Sequence, residues 1–176
     1  MKHRIPIGSL LRTVAVFSAT LWLVSCSGPF VRTDYDRSVH FAELHTYAWQ
    51  PAAGHFGAGL PNDPDLDIRI RSTVDAVLSA KGLRVASQKD ADLLLEYEAS
   101  AEKQIHSDFK HYETAEFMNI NYALGTLDLK MTRSSSPSVV WQGRVQANID
   151  RSRPLDERDR KLREAVQKLL EKFPPQ

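Results

Sequence analysis

The amino-acid sequence predicts an α+β fold, a two-layer sandwich in which two amphipathic helices cover one face of a mainly antiparallel sheet. Residues 93–102, 127–132 and 139–149 alternate between apolar and polar side chains, which is typical of strands with one buried face. Residues 63–82 and 155–173 repeat apolar side chains at helical spacing. Because each element has one apolar face, the helices and the sheet are expected to bury these faces against each other.

The predicted strands and helices follow a regular order along the chain. Residues 31–36 and 45–49 supply two earlier strands, so that the order is roughly β-β-α-β-β-β-β-α. The polar segment 134–138 predicts the turn of a hairpin between the last two strands. In the last strand, a period of two places Val139 on the buried face and Val140 on the face open to water.

The second face of the sheet is expected to be polar and open to water. A domain with an exposed sheet can dock a partner by adding a strand to the sheet edge. The polar face comprises Glu96, Glu98, Glu102, Asp128, Lys130, Gln142, Arg144, Gln146 and Asn148.

The first helix has sequence signals at both ends. Asp63 is the predicted N-cap, Pro64 is the first helical residue, and Gly82 ends the helix. The apolar stripe of this helix comprises Leu66, Ile70, Val74, Val77 and Leu78.

The second helix combines an apolar stripe with a charged face. Acidic residues precede basic residues by four positions, as in Asp156 with Arg160 and Asp159 with Arg163, and this is the favoured orientation of helical ion pairs. We therefore interpret the charged face as solvated rather than as a binding patch. The apolar stripe comprises Leu155, Leu162, Val166, Leu169, Leu170 and Phe173.

The N-terminus has the pattern of a lipoprotein leader. Leu23, Val24 and Ser25 precede Cys26 and form a lipobox, in which the cysteine becomes the lipid-bearing first residue of the mature chain. The apolar stretch 14–24 is shorter than the roughly 20 residues needed to span a bilayer. Because the sequence has a single cysteine, lipidation also explains a thiol that has no disulfide partner.

The leader implies a division of the chain and a location. Residues 1–25 are the signal peptide, 26–30 are the lipidated N-terminus and a short tether, and 31–176 are a periplasmic domain. Lipid chains attach the protein to the membrane. Ser27 stands where lipoproteins of the inner membrane often carry Asp, which favours the outer membrane facing the periplasm; the inner-membrane outer leaflet and the cell surface stay open.

Charge and motifs restrict the function. Loss of Lys2, Arg4 and Arg12 from the 23 basic residues leaves 20 against 22 acidic ones, a formal charge of −2, which argues against a nucleic-acid partner. Nucleophile-elbow, phosphate-loop and dinucleotide motifs are absent from the sequence. We therefore expect a protein that is not an enzyme and needs no cofactor.

Two alternatives involve a ligand. His106 and His111 lie near Asp108, Glu113 and Glu116 and could bind zinc or copper with them. A spacing of five aligns the two histidines neither on one helix face nor on one strand face, so a polar hairpin is favoured. The same argument applies to His40 and His45.

The aromatic residues offer a second ligand hypothesis. Phe41, Tyr47, Trp49 and Trp141 could line a cleft, although aromatic residues on strands are more often part of a core. The glycine-containing segment 51–64 is expected to be a connector or a lid.

Several motifs in order resemble one known family. Asp34-Tyr35-Asp36, Phe41 and Thr46-Tyr47-Ala48-Trp49 resemble the opening signature of the bacterial lipoproteins grouped as domain of unknown function 4136. The resemblance implies an envelope lipoprotein with an α+β domain and carries over no catalytic residue. It continues through Ala91-Asp92-Leu93-Leu94, Gly125-Thr126-Leu127, Val140-Trp141-Gln142-Gly143 and Lys172-Phe173-Pro174-Pro175.

These observations lead to one expected function and one alternative. We expect a lipid-anchored envelope protein whose non-catalytic periplasmic domain binds an envelope protein or helps to maintain the envelope. The alternative is a periplasmic lipoprotein that binds a small ligand or a metal.

Overall fold

The structure is a computed structural model that describes residues 28–61, 63–103 and 122–175. Within these ranges the chain forms a six-stranded sheet, two α-helices and a short 3-10 turn at Phe41–Glu43. The strands are β1 (Phe30–Tyr35), β2 (Thr46–Phe56), β3 (Arg84–Val85), β4 (Leu93–Lys103), β5 (Tyr122–Arg133) and β6 (Val139–Asp150), and the helices are α1 (Pro64–Ala80) and α2 (Leu155–Leu170).

The sheet is mainly antiparallel, as predicted. Its strand order is β1-β6-β5-β4-β2-β3. The pairs β1 with β6, β6 with β5, and β5 with β4 are antiparallel, whereas β2 runs parallel to both β4 and β3. The predicted hairpin between β5 and β6 is confirmed by their antiparallel pairing.

Both helices cover the same face of the sheet, so the predicted two-layer sandwich is confirmed. Ile70 and Val74 of α1 and Leu169 of α2 share one buried cluster with Leu95 and Leu129 of the sheet. Among the described residues, no helix is both long enough and apolar enough to cross a membrane.

The last strand contains a β-bulge that the alternation rule did not predict. Met131 pairs with Trp141, but the next pairing joins Thr132 to Val139, so Val140 is an extra residue in β6. Val140 is therefore buried, at 1% exposure, while Val139 is 39% exposed. The expectation for these two valines was wrong because an inserted residue reverses the side-chain alternation.

The segment from Pro51 onward is largely a strand rather than a connector. β2 continues to Phe56, and its register with β4 shifts between Trp49 and Gly54. The strand accommodates Pro51 at this irregularity, where its missing N–H breaks no regular ladder. The prediction of a loop over 51–64 was therefore wrong for 51–56.

The ends of α1 are as predicted. The Asp63 carboxylate accepts hydrogen bonds from the backbone N–H groups of Asp65, at 3.0 Å, and Leu66, at 3.2 Å. Pro64 begins the helix, and Gly82 follows it with a φ of +91°, a left-handed conformation that favours glycine.

Helix α2 departs from its predicted pattern at its first turn. Leu155 is 47% exposed, whereas the stripe first packs against the core at Leu162. The prediction that Leu155 is buried was wrong because the first turn of α2 extends past the core. On the charged face, Arg160 pairs with Glu164, and Asp159 pairs with Arg69 of α1 at 3.5 Å.

Candidate functional site

The predicted lipidation and metal residues lie outside the part of the chain that the structure describes. They are Leu23, Val24, Ser25, Cys26, His106 and His111.

His40 and His45, also considered as metal ligands, do not belong to a metal-binding group in the described part of the chain. His40 and His45 are both exposed, and the backbone N–H of His45 donates to the Asp92 carboxylate at 2.8 Å. Across residues 28–61, 63–103 and 122–175, no group of three or more His, Cys, Asp or Glu side chains could hold a metal ion.

Aromatic residues from the two ends of the domain sequence meet in one cluster. The Phe41 ring makes edge contacts with the rings of Tyr35 at 6.1 Å and Phe173 at 5.9 Å, and Phe173 contacts Trp141 at 5.4 Å. Phe41, Trp141 and Phe173 are at most 7% exposed. These three aromatic residues, which belong to the motifs of the family resemblance, therefore form part of the core. This agrees with the prediction that Phe41 and Trp141 are core residues rather than the lining of a cleft.

A second cluster from that resemblance fixes the start of β2. The Asp92 carboxylate accepts hydrogen bonds from the backbone N–H of His45 (2.8 Å), the backbone N–H of Thr46 (2.9 Å) and the Thr46 hydroxyl (2.8 Å). Burial alone would raise the pKa of Asp92, but these hydrogen bonds outweigh it and hold the pKa below its ordinary value. The carboxylate is thus committed to a structural role.

Helix α1 is joined to the sheet by two carboxylates that accept from aromatic residues. Asp75 accepts hydrogen bonds from the Tyr47 hydroxyl at 2.8 Å and the Trp49 indole N–H at 2.9 Å. Asp67 accepts one from the Tyr97 hydroxyl at 2.5 Å. We call these five residues the α1 latch.

The pKa shifts of the α1 latch residues match their roles as hydrogen-bond donors and acceptors. Burial, followed by the hydrogen bond to Asp75, raises the pKa of Tyr47, and burial and Asp67 do the same for Tyr97. Burial opposes ionisation of Asp67, but hydrogen bonds from Tyr97 and Arg71 lower its pKa overall. At neutral pH the phenols therefore donate and Asp67 accepts, so these groups are engaged as structural partners and not free as bases or nucleophiles.

Sequence reasoning missed the α1 latch. Its signal was the placement of Asp67 and Asp75 eight residues apart, on one face of α1 beside the apolar stripe. Trp49, considered above for a cleft, is half-buried here, and Arg71 lies over its ring at 5.2 Å.

The open face of the sheet is occupied by its own charge pairs. Arg144 donates to both carboxylate oxygens of Asp128, at 2.6 and 3.1 Å, and Lys130 pairs with Glu96. Gln146 donates to the Thr126 hydroxyl at 3.2 Å. Much of this face is therefore satisfied by cross-strand contacts.

The two edges of the sheet differ in how much pairing surface they offer. β3 ends the sheet on one side with two residues, whereas β1 ends the other side with six. Phe30 at the start of β1 is 64% exposed. The β1 edge, residues Phe30–Tyr35, is thus the longer described edge and the candidate functional site.

The hydrogen-bond pattern shows which backbone groups of the β1 edge are open. Asp36, directly after β1, donates from its N–H to the Val140 carbonyl at 2.9 Å. Since bonded positions alternate in an antiparallel pair, the backbone groups of Arg32 and Asp34 point toward β6. Those of Val31 and Thr33 point away from the sheet and can accept a further strand.

The fold and these sites define an α+β sheet domain with an open edge. The family model described as Domain of unknown function (DUF4136) matches residues 31–175, and the chain belongs to this family. The family resemblance of the sequence motifs is thereby confirmed. Comparison with curated proteins finds no match.

Solved structures share the fold at low sequence identity. A DUF4136 family protein from Bacteroides thetaiotaomicron has 14% identity and a TM-score of 0.53, with 84% of this chain and 96% of that chain covered. The PelC dodecamer from Paraburkholderia phytofirmans has 13% identity and a TM-score of 0.50, with 81% and 94% covered.

A third similar structure is longer than this chain. A PDZ domain protein from Parabacteroides distasonis has 18% identity and a TM-score of 0.55, with 85% of this chain and 37% of that chain covered. At these identities the similarities concern the fold alone.

Proposed function

We propose that this chain is a lipid-anchored protein of the outer membrane, held through Cys26, whose periplasmic domain binds a partner protein and catalyses no reaction. The observation that carries the proposal is the open β1 edge, which begins four residues after Cys26 in the sequence. Four residues reach at most about 14 Å, so a lipid on Cys26 holds this edge close to the membrane surface.

The edge is a better docking surface than the open face. On the face, Asp128 and Lys130 already have charged partners within the sheet, and a protein that docks there has to compete with them. At the edge, the N–H and C=O groups of Val31 and Thr33 gain hydrogen bonds from an added strand without loss of an existing contact.

The partner chemistry follows from the side chains of β1. Val31 is half-buried toward the helices, while Phe30 is exposed at the start of the strand. Arg32 and Asp34 are exposed, and their charges disfavour pairing of the edge with strands that lack complementary charges. The partner is therefore an extended segment of an envelope protein, with an apolar side chain to cover Phe30 and charges opposite to those of Arg32 and Asp34.

The β1 edge is tested by photo-crosslinking of the intact chain in cells. A photoreactive residue in place of Arg32 should capture one defined envelope protein, whereas the same residue at exposed Lys89 should not. Thr33→Pro removes an outward N–H and should abolish the capture, while Thr33→Val keeps that N–H and should retain it.

Stability measurements separate docking from folding. The proline lies on the unpaired side of an edge strand, where it is tolerated, so the melting temperature of Thr33→Pro should stay within a few degrees of wild type. Phe30→Asp, at an exposed position, is a second variant that should weaken capture without unfolding the domain. Capture that survives both changes, or capture of only a second copy of this chain, would contradict the proposal.

A further inference from the structure

A pocket of about 530 Å³ lies between the sheet and the N-terminal halves of the two helices. Leu66, Arg69 and Ile70 of α1 line one side together with the cap residue Asp63, and residues of α2 such as Arg158 line the other. The volume lies within the range of about 300–1,000 Å³ that is typical of small-molecule sites.

The pocket exists because the inner face of the sheet changes from large to small side chains. At one end this face carries Tyr97 and Met131, which are fully buried under the helices. At the other end Gly125 pairs with Ala147 in register, and both line the pocket. The Ile149 side chain fills the position that a Cβ at Gly125 would take, whereas the small Ala147 beside it leaves space open between the sheet and the helices.

The floor of the pocket is apolar. Side chains from all three walls contribute to it, so an apolar ligand group would be surrounded and removed from water. The apolar lining includes Leu66, Ile70, Val145, Ala147, Ile149 and Leu162.

The rim is charged, and its acids are already engaged. Asp159 pairs with Arg69 at 3.5 Å, and Asp150 and Glu157 pair with Arg153 at 3.0 and 3.7 Å. Asp63, the other lining acid, caps α1.

Two arginines of the rim have no acidic partner among the described residues. Within the described part of the chain, Arg151 and Arg158 have no carboxylate partner; Arg151 donates to the Gly59 carbonyl at 2.7 Å. The buried Nε of Arg69 at the pocket wall lies 3.5 Å from the Asp159 carboxylate, in an ion pair that lacks hydrogen-bond geometry. Guanidinium groups at the mouth of an apolar pocket favour a carboxylate or a phosphate.

We propose that this pocket binds a single-chain amphiphile, with its acyl chain on the apolar floor and its anionic head group at Arg151 and Arg158. The location fits this ligand class. Phe30 pairs with Gln146, directly before the pocket residue Ala147, so the pocket lies at the end of the sheet where β1 begins. The lipid proposed on Cys26 would hold this end of the sheet near the membrane, where single-chain amphiphiles are found. The site is separate from the β1 edge and does not depend on a protein partner.

The test uses the intact chain in phosphatidylcholine vesicles with two photoreactive probes, a palmitate and an uncharged hexadecanol, each carrying a mid-chain diazirine. Mass spectrometry of the digested chain should find palmitate adducts in peptides that contain Leu66, Ile149 or Leu162. Ala147→Trp fills the pocket and should reduce these adducts about tenfold. Ala52→Trp, at an exposed position of β2, is the matched control and should leave them unchanged.

Charge reversal tests the head-group site with little risk to folding, because both arginines are exposed. The double variant Arg151→Glu and Arg158→Glu should lower palmitate labelling by at least about tenfold, because the loss of even one charge-assisted hydrogen bond has that effect. The double variant should leave hexadecanol labelling unchanged. The control variant Arg84→Glu on β3 should change neither palmitate labelling nor hexadecanol labelling.

Competition identifies the source of the anion. Displacement of the probe by unlabelled palmitate supports a carboxylate ligand, and displacement by lysophosphatidylglycerol supports a phosphate ligand. The proposal is overturned if neither competes, if Ala147→Trp labels like wild type, or if the arginine variant labels equally well with palmitate.

Discussion

Asp92 shows how one side chain joins distant parts of this chain. Its carboxylate binds two backbone N–H groups and a hydroxyl at positions 45 and 46, which precede it by up to 47 residues. The same contacts set the beginning of β2 beside the beginning of β4, where Tyr47 pairs with Leu93. A residue of the family resemblance thus has a specific structural task.

We predict that Asp92→Ala costs about 1–3 kcal/mol of unfolding free energy, because it removes hydrogen bonds to a charged acceptor, of which the two from Thr46 are half-buried. Asp90→Ala is the matched control, since Asp90 accepts from Ser87 in an exposed turn and its loss should cost less than about 0.5 kcal/mol. Urea unfolding of both variants measures the difference.

The pH dependence gives the same prediction a second readout. Because the pKa of Asp92 is lowered in the folded state, its stabilisation is complete above the ordinary value of 3.8 and is lost as pH falls through the folded-state pKa. Between pH 5 and pH 3, about 1 unit above and below the ordinary pKa, the unfolding free energy of wild type should therefore fall more than that of Asp92→Ala. Equal losses in the two proteins would contradict the assigned role.

At the scale of elements, glycine positions decide how the connections run. Gly59 has a φ of +74°, and a Cβ there would lie 1.8 Å from the carbonyl oxygen of Ala101 in β4. The chain after β2 stays against β4 through backbone hydrogen bonds of Gly57 with Ala99 and of Ala58 with Ala101. Gly82 has a similar φ of +91° but open space around it.

We predict that Gly59→Ala and Gly82→Ala have different costs despite their similar backbone. Gly82→Ala should cost about 1 kcal/mol, the strain of a left-handed alanine. Gly59→Ala should cost more than about 2 kcal/mol, because the added methyl also forces the segment away from Ala101. Thermal unfolding of the two variants compares them directly, and equal costs would mean that the contact with Ala101 gives way freely.

Local sequence patterns predicted the helices and most of the strands. Features that depend on pairing between distant strands could not be predicted from the sequence. The Asp63 cap and the alternation in β4 are encoded within a few residues, so they were predictable. The bulge at Val140 depends on the register of two strands, and the parallel pairing of β2 with β4 depends on α1 between them. Neither leaves a local signature.

The same distinction applies to the candidate sites. That β1 forms an edge follows from the strand order β1-β6-β5, which joins the first strand to the last. The pocket had a partial sequence signal in the change from Leu95 and Tyr97 to Ala99 and Ala101 along β4. Its arginine rim combines Arg151 of the connection between β6 and α2 with Arg158 of α2, and it is visible only once the two helices are placed.

At the scale of the whole molecule, the proposed function depends on Cys26. Each buried methylene of a lipid chain contributes about 0.8 kcal/mol to anchoring, so acyl chains on Cys26 would hold the domain at the membrane. We predict that Cys26→Ser abolishes incorporation of labelled palmitate and removes the chain from the membrane fraction, or leaves it there with an uncleaved leader. Ser27→Ala is the matched control and should be lipidated normally.

Sorting separates the anchor from its destination. Ser27→Asp keeps the acceptor cysteine, so the variant should incorporate palmitate like wild type but fractionate with the inner membrane on a density gradient. Wild-type membrane retention of a processed Cys26→Ser chain would contradict lipid anchoring. An unchanged gradient position of Ser27→Asp would contradict the outer-membrane assignment alone, because the lipid itself would still be present and the β1 edge would still lie beside a membrane.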